Sequence, residues 1–444
     1  MPYVEFVGQS RKDADFNQAG TSRLLNLYRE PVEDGYVLKA VPGTETFASL
    51  SAVFMRDMQE IGGIIYAACG GKLFSVDSTG AATLLALILD GETDISGNNG
   101  AVAFSAAGRY YVWDGASLLQ PTGGAFSSVG SVEFVGQTTI MTELNGRRFQ
   151  WSAVADATSL NGLDFATAEG RDDKIIRAVV INGNLWLFKE KSAEIWYPTA
   201  TGFSRVAGGV LDTGLKAFGL VTKFANGAFF IGDDNIAYIT SGAGMQPIST
   251  PAVETDITAG AGVNCLYYEH HGHKFCVIQF SDRAAWVYDI STGEWHNRTT
   301  GPEYAAWPVI ASVKAFGHWH VGSNTGQILR LTESNADYDG PLYRRAVSRT
   351  FRPGQLFKIA RLEALGVMGG PNVSAREPEL MLRMSRDTAK TWGTELWRSF
   401  GPVGEYETRA VYRGLGQFRS ATAEITITDA ANLPISAKML LETA

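Results

Sequence analysis

Apolar residues in this chain come in short β-like runs that meet in pairs around a glycine. Residues 64–68 and 73–76 flank Gly71, residues 101–104 and 110–113 flank Gly108, and residues 138–142 and 149–151 flank Gly146. The same unit returns at 178–181 and 185–188 around Gly183, and at 220–224 and 229–231 around Gly227. It closes with 266–268 and 275–278 around Gly272, then 313–316 and 319–321 around Gly317. Glycine reaches the positive φ angles that tight hairpin turns demand, so each unit predicts two antiparallel strands and a turn.

The seven turn glycines are separated by 37, 38, 37, 44, 45 and 45 residues. A near-constant period of this size carried by hairpins is the mark of four-stranded propeller blades. A β-sandwich with regular turns would space them by about 8–12 residues, with no higher period. The pattern predicts an all-β protein with a β-propeller of six or seven blades, seven being the number of kernels. The seven glycines are expected at equivalent turns. Asp77, Asp114, Asp233 and Asp289 open turn sequences after the kernels, expected to lead into each blade's outer strand.

The pattern changes near residue 340, at the turn cluster Tyr338, Asp339, Gly340 and Pro341. Beyond it lie 361–367, 380–385 and 423–428, the last alternating Ala423, Ile425 and Ile427 with Glu424, Thr426 and Thr428 as a half-buried strand does. The expected division is an N-terminal segment over 1–50, partly strand and a candidate for subunit contacts. A propeller over 51–340 and a C-terminal β-sandwich-like domain over 345–444 follow, the latter long enough for its own core.

Composition narrows the classes. With 45% hydrophobic and 19% charged residues, there is material for a core and no disorder signature. The longest apolar run, 84–89, is far short of a membrane span, and the N-terminus shows no signal-peptide pattern, so a soluble, cytoplasmically made protein without membrane insertion is expected. Three cysteines (Cys69, Cys265, Cys276) form no disulfide framework. The net charge of −8, with no basic cluster longer than the pairs Arg147–Arg148 and Arg344–Arg345, argues against tight nucleic-acid binding.

With the repeat in place, a resemblance emerges. Asn26-Leu27-Tyr28-Arg29-Glu30-Pro31 followed by Pro42-Gly43-Thr44, the stretch 163–169 closed by Asp172-Asp173, the hairpin residues 185–188 and 193–196, residues 229–233, and Pro247-Ile248-Ser249-Thr250 occur in an order that resembles the packaged-DNA stabilisation or tail-nozzle proteins of short-tailed phages. His270, His271, Gly272 and His273 have no counterpart in that pattern. The resemblance implies a virion structural protein, made in the host cytoplasm and located in the tail. It implies a homo-oligomeric ring, a hexamer, below the portal ring and head-to-tail adaptor. Tail fibre or spike proteins would attach to it, and double-stranded DNA would lie in its channel without tight binding.

Three features invite chemistry. Residues 385–392 (Ser385, Asp387, Thr391, Trp392) resemble an Asp-box hairpin, with Ala389 where glycine is usual; Asp387 would accept turn N–H groups and Trp392 would lie packed beneath, a folding role. Together with Phe351-Arg352-Pro353 this supports a second reading, a glycan-binding or sialidase-like glycan-cleaving propeller, but no acid–nucleophile carboxylate pair can be placed. All six histidines (His270, His271, His273, His296, His318, His320) fall within 270–320 near Cys265, Glu269 and Cys276, without a fixed metal-ligand spacing. The expectation is a protein that is not an enzyme, with no catalytic, cofactor-binding or metal-binding residue and no cofactor.

Overall fold

A computed structural model describes residues 3–8, 10, 21–33, 35–98, 100–260, 262–302, 304–337, 340–366, 377–406, 409–429 and 434–443. The turn expected at Tyr338 and Asp339 and the end of the 361–367 run at Val367 lie outside these residues. Among them the blades follow the sequence period. The first comprises Met55–Ile61, Ile64–Cys69, Lys72–Val76 and Ala82–Leu87; the second Thr93–Asn98, Ala101–Ala106, Arg109–Trp113 and Leu118–Leu119. The third spans Val129–Val135, Thr138–Glu143, Arg148–Ala153 and Asp156–Thr167, and the fourth Ile175–Ile181, Asn184–Lys189, Ala193–Thr199 and Gly202–Leu211. The fifth runs Val221–Phe224, Gly227–Ile231, Ala237–Ser241 and Gly244–Pro247. A helix, Pro251–Ala259, then leads to the sixth: Gly262–His270, His273–Phe280, Ala285–Asp289 and Glu294–Arg298. The seventh has Val309–Ala315, His318–Ser323 and Gln327–Thr332, and its fourth strand comes from the N-terminus, Gly43–Ser49. The inner strands of the first and seventh blades lie side by side and close the ring.

The turn glycines are not all equivalent. Gly71, Gly108 and Gly146 lie at the turn between second and third strands, whereas Gly183, Gly227, Gly272 and Gly317 lie between first and second. Both inner hairpins of a blade need a tight turn, so a strand–glycine–strand kernel fits either; in the first and third blades the first turn is held by Gly62–Gly63 and Gly136–Gln137. Gly227 is required for space instead of φ: a Cβ there would sit 2.7 Å from Thr240 Oγ1. The turns at Asp77, Asp114 and Asp289 lead to outer strands, while that at Asp233 comes one strand earlier.

The C-terminal sandwich has one core across two sheets, built around Leu362, Leu380, Leu382, Phe400, Tyr412, Ile425 and Met439. One sheet orders Leu27–Val32, Gly35–Ala40, Ile435–Thr443, Phe357–Gly366 and Ala410–Phe418, with Tyr3–Glu5 also on Ile435–Thr443. The other runs Arg23–Leu25, Arg344–Val347, Thr422–Ile427, Glu379–Ser385 and Leu396–Ser399. It is continuous with the sixth blade, because Leu25 pairs in parallel with Asn297. The strands among the described residues of 1–50 are thus divided between the last blade and the two sandwich sheets. Thr422–Ile427 is buried on both faces, against the half-buried expectation: it is a central strand, and Glu424 on its outward face is covered by Arg383 (2.6 Å) and Arg345 (3.5 Å).

Candidate functional site

Inner strands of neighbouring blades splay apart, leaving edge N–H groups that a buried backbone must satisfy. Side chains of the adjacent inner strand do this. Asp57 Oδ2 accepts from Ile95 N (2.8 Å), Asp94 Oδ2 from Val132 N (3.1 Å) and Ser131 Oγ from Ala178 N (2.9 Å). Across the later blades Asn264 Nδ2 donates to Ile310 O (2.8 Å) and Ser312 Oγ accepts from Tyr267 N (3.2 Å). The sequence reading missed these residues; the available signal was a polar residue recurring at the blade period within an apolar strand, as at Asp57, Asp94 and Ser131.

These strands wall a central cavity of about 920 Å³. Two ion pairs reach past a blade within it: Arg177 with Asp94 (2.6 Å) and Lys223 with Glu133 (2.8 Å). The Arg177 guanidinium also rests on the Phe218 ring, 4.6 Å from its centroid. Burial, and then the charge of Asp94, push the Asp57 carboxyl up to about 7, with Arg177 opposing. Its carboxyl carbon is expected to titrate near neutrality by ¹³C NMR. Arg177→Gln should move that midpoint higher, since the opposing positive charge is gone.

At the joint between domains, His273 sits between Asp289 (Nδ1–Oδ2, 2.6 Å) on the sixth blade and Glu30 (Nε2–Oε2, 2.7 Å) on a sandwich strand. Asp289 first, through its hydrogen bond, holds the His273 pKa above the ordinary imidazole value. Arg29 bridges Glu5 (3.0 Å) and Glu294 (2.8 Å). Asn26, in the left-handed region at φ 55, donates to Thr299 O (3.1 Å) and Tyr343 O (2.8 Å). Of the stretch that resembles the phage family's opening, Asn26, Tyr28 and Arg29 are therefore buried against the chain's own sixth blade and sandwich.

The histidines do not gather at one point: the His270 and His271 rings lie 4.0 Å apart at a hairpin end, His273 and His296 flank Phe275, His318 is exposed, and His320 is buried beside Phe47. Cys265 and Cys276 are buried free thiols on adjacent strands. Among the described residues, no group of three or more His, Cys, Asp or Glu side chains could hold a metal ion. In the fourth blade Lys189 is fully buried between Asp173 (2.8 Å) and Glu194 (3.2 Å), which places part of the mid-chain family stretch in a structural ion network.

The Asp-box geometry is present. Asp387 accepts from Thr391 N (2.8 Å), Lys390 N (3.1 Å) and Thr391 Oγ1 (2.6 Å), bonds that hold its pKa well below the usual carboxylate range. Trp392 is half-buried, not packed beneath the hairpin; the Arg383 guanidinium lies 4.9 Å from its ring centroid. Truncating it should therefore cost less than the loss of a core aromatic. Ala389 stands at φ 64, where a Cβ is strained. Ala389→Gly is expected to stabilise the domain by about 0.5–1 kcal/mol, read as a higher melting temperature in differential scanning calorimetry.

A propeller closed by its own N-terminal strand and continued through one blade into a β-sandwich defines a two-domain structural class. The residues 4–336 match the family described as "Bacteriophage P22 Gp10, beta-propeller", and residues 347–437 match its "Bacteriophage P22 Gp10, beta-sandwich" counterpart. The chain belongs to this Gp10 family: it is a phage stabilisation protein and a structural component of the virion. A comparison with curated protein sequences finds no match. Among solved structures, the chain is similar to BamB from Moraxella catarrhalis, with 14% identity over 75% of this chain and 98% of that one, TM-score 0.42. It is also similar to the β-propeller domain of Cps50 (Swd1) from Myceliophteria thermophila, with 9% identity over 65% and 99%, TM-score 0.46.

Proposed function

We propose that this chain forms a ring-shaped tail nozzle that closes the channel below the portal and head-to-tail adaptor, retains packaged DNA and carries tail fibres or spikes. What carries the reading is the occurrence, in order on one chain, of the family's propeller and sandwich. The joint supports it mechanically: a shared sheet through Leu25 and Asn297, the His273 clamp and the Arg29 bridge would let load pass between domains without a flexible linker. The mechanism is occlusion and assembly. A ring of identical copies requires heterologous contacts that close by rotation, and six copies are the number proposed.

The proposed role involves no bond chemistry. The propeller carboxylates Asp57 and Asp94 are each spent on the backbone of the next blade, and Asp94 and Glu133 on cations, which supports structural roles for them. No turnover of sialosides is expected above a heat-treated control. The assembly test is to incubate the protein with the portal–adaptor complex of the same phage and image the product. A sixfold collar below the adaptor supports the reading; absence from purified virions together with no binding to that complex would end it.

A further inference from the structure

The last 100 residues differ from the rest of the chain in the sign of their charge. Residues 345–444 carry 14 Lys and Arg against 10 Asp and Glu, while residues 1–344 carry 24 against 36. The positive excess gathers at one end of the sandwich. Lys358 is exposed and pairs across the sheet with Gln417. Arg386 Nε donates to Gln417 O (3.3 Å), and its guanidinium lies 4.8 Å from the Phe418 ring centroid. Ser420 Oγ ties Arg386 O (2.9 Å) to the turn that bears the exposed Arg419. Lys390 is exposed on the Asp-box turn that follows Arg386, its N–H held by Asp387, and Arg413 extends the cations along the same strand as Gln417. None of these five makes an ion pair among the described residues. The carboxylate nearest in the chain, Asp387, has its oxygens engaged by Ser385, Lys390 and Thr391.

We infer that this end of the sandwich is a contact surface for the phosphate backbone of double-stranded DNA. Three observations favour phosphate over an acidic protein. The cations are held on rigid strands and turns, with Arg386 fixed by the Phe418 ring and the Gln417 carbonyl. Three of the five are arginines, whose planar fork fits phosphate oxygens. Leu356 is the exposed large apolar side chain nearest to these cations in the chain among the described residues, and one such residue falls short of the apolar core around which a protein interface sets its charges. The whole-chain charge of −8 hides such a surface because the propeller supplies the negative excess. Contact through a few phosphates is sequence-independent and salt-sensitive, which would let DNA slide along one wall while the acidic propeller repels it elsewhere. The place of this contact in a nozzle rests on the function proposed above; the binding does not.

The test is fluorescence anisotropy of a labelled duplex of about 25 base pairs with the full-length protein, across a salt series. Binding is expected at low salt, equal for unrelated sequences, with a log–log salt slope of about −3 to −4. The quadruple variant Lys358→Gln, Arg386→Gln, Lys390→Gln and Arg419→Gln should weaken binding at least about ten-fold and flatten the slope. Because Arg386 packs on Phe418, the triple variant that keeps Arg386 is measured as well, with its melting curve; it should show an intermediate loss at unchanged stability. No binding at low salt, or an unchanged slope in the folded triple variant, overturns the inference. Salt-sensitive self-association that these substitutions abolish, without duplex binding, would assign the surface to a second copy and overturn it too. Such failures leave the nozzle reading intact if the protein is found in virions, and DNA binding by a protein absent from virions would do the reverse.

Discussion

A chain beginning at residue 51 is expected to yield no cooperatively folded propeller. Gly43–Ser49 pairs with Gln327–Thr332 to complete the seventh blade, and Ala48 and Leu50 belong to the core between the seventh and first blades. The same deletion removes Leu24, Leu27 and Leu38 from the sandwich core, and Arg23–Leu25 from the sheet joining the domains. The losses fall in both domains at once and exceed the roughly 5–15 kcal/mol by which whole domains are stable. Insoluble expression, or soluble protein without a sigmoidal melt, is the expected outcome; a normal melt would show that the ring closes without this strand. A single substitution probes the same closure. At Gly43 a Cβ would sit 1.9 Å from Ser334 O and 2.5 Å from Ala336 O, both backbone atoms that cannot swing away. Gly43→Ala should therefore cost about 3 kcal/mol or more, measured by urea denaturation.

Mild acid should destabilise the protein through His320. This side chain is fully buried against Phe47 of the closing strand, ring centroids 4.5 Å apart, and neither ring nitrogen has a hydrogen-bond partner. Burial lowers its pKa to about 4, with the His318 backbone opposing. An unfolded imidazole binds a proton near pH 6.5, so the unfolded state gains protons first as pH falls. Stability is full above about 6.5 and is lost progressively down to about 4, by roughly 3 kcal/mol. His296 and His270, whose pKa values burial lowers to about 3, contribute losses that begin in the same window below about 6.5 and continue toward 3. His320→Leu should raise stability at pH 7 by about 1–2 kcal/mol, because it removes two unsatisfied buried nitrogens. It should also flatten the decline between pH 6.5 and 4. A variant with the wild-type pH dependence would show that His320 does not carry the effect.

The order of elements was legible because its causes are local. A hairpin needs a residue at positive φ, and Gly71, Gly108, Gly183, Gly272 and Gly317 supply it at a blade-sized interval. The Asp-box was legible for the same reason, since Asp387 bonds to groups three and four residues along the chain. Which hairpin each glycine served was not, because the first and second turns of a blade make the same local demand. The exposure of Trp392 was not legible because the bonds that fix the turn, from Asp387 to Lys390 and Thr391, do not reach this side chain, which has the Arg383 guanidinium over its ring.

Sequence by itself determined the blade period, the all-β class and the change of pattern near residue 340, all consequences of side-chain alternation and turn chemistry within about 45 residues. Tertiary structure alone decided how the ring closes, where residues 1–50 belong and what the histidines do. Gly43–Ser49 meets a strand nearly 300 residues away, and Glu30 meets His273 across 243 positions. Nothing in the neighbourhood of either residue encodes its partner. The inner-strand polar residues lie between these extremes: Asp57 and Asp94 recur at the blade period, yet only the splay of adjacent blades gives their carboxylates backbone N–H groups to satisfy. Long-range pairing is selected by the global shape that lets every edge be covered, and that selection leaves no local signature.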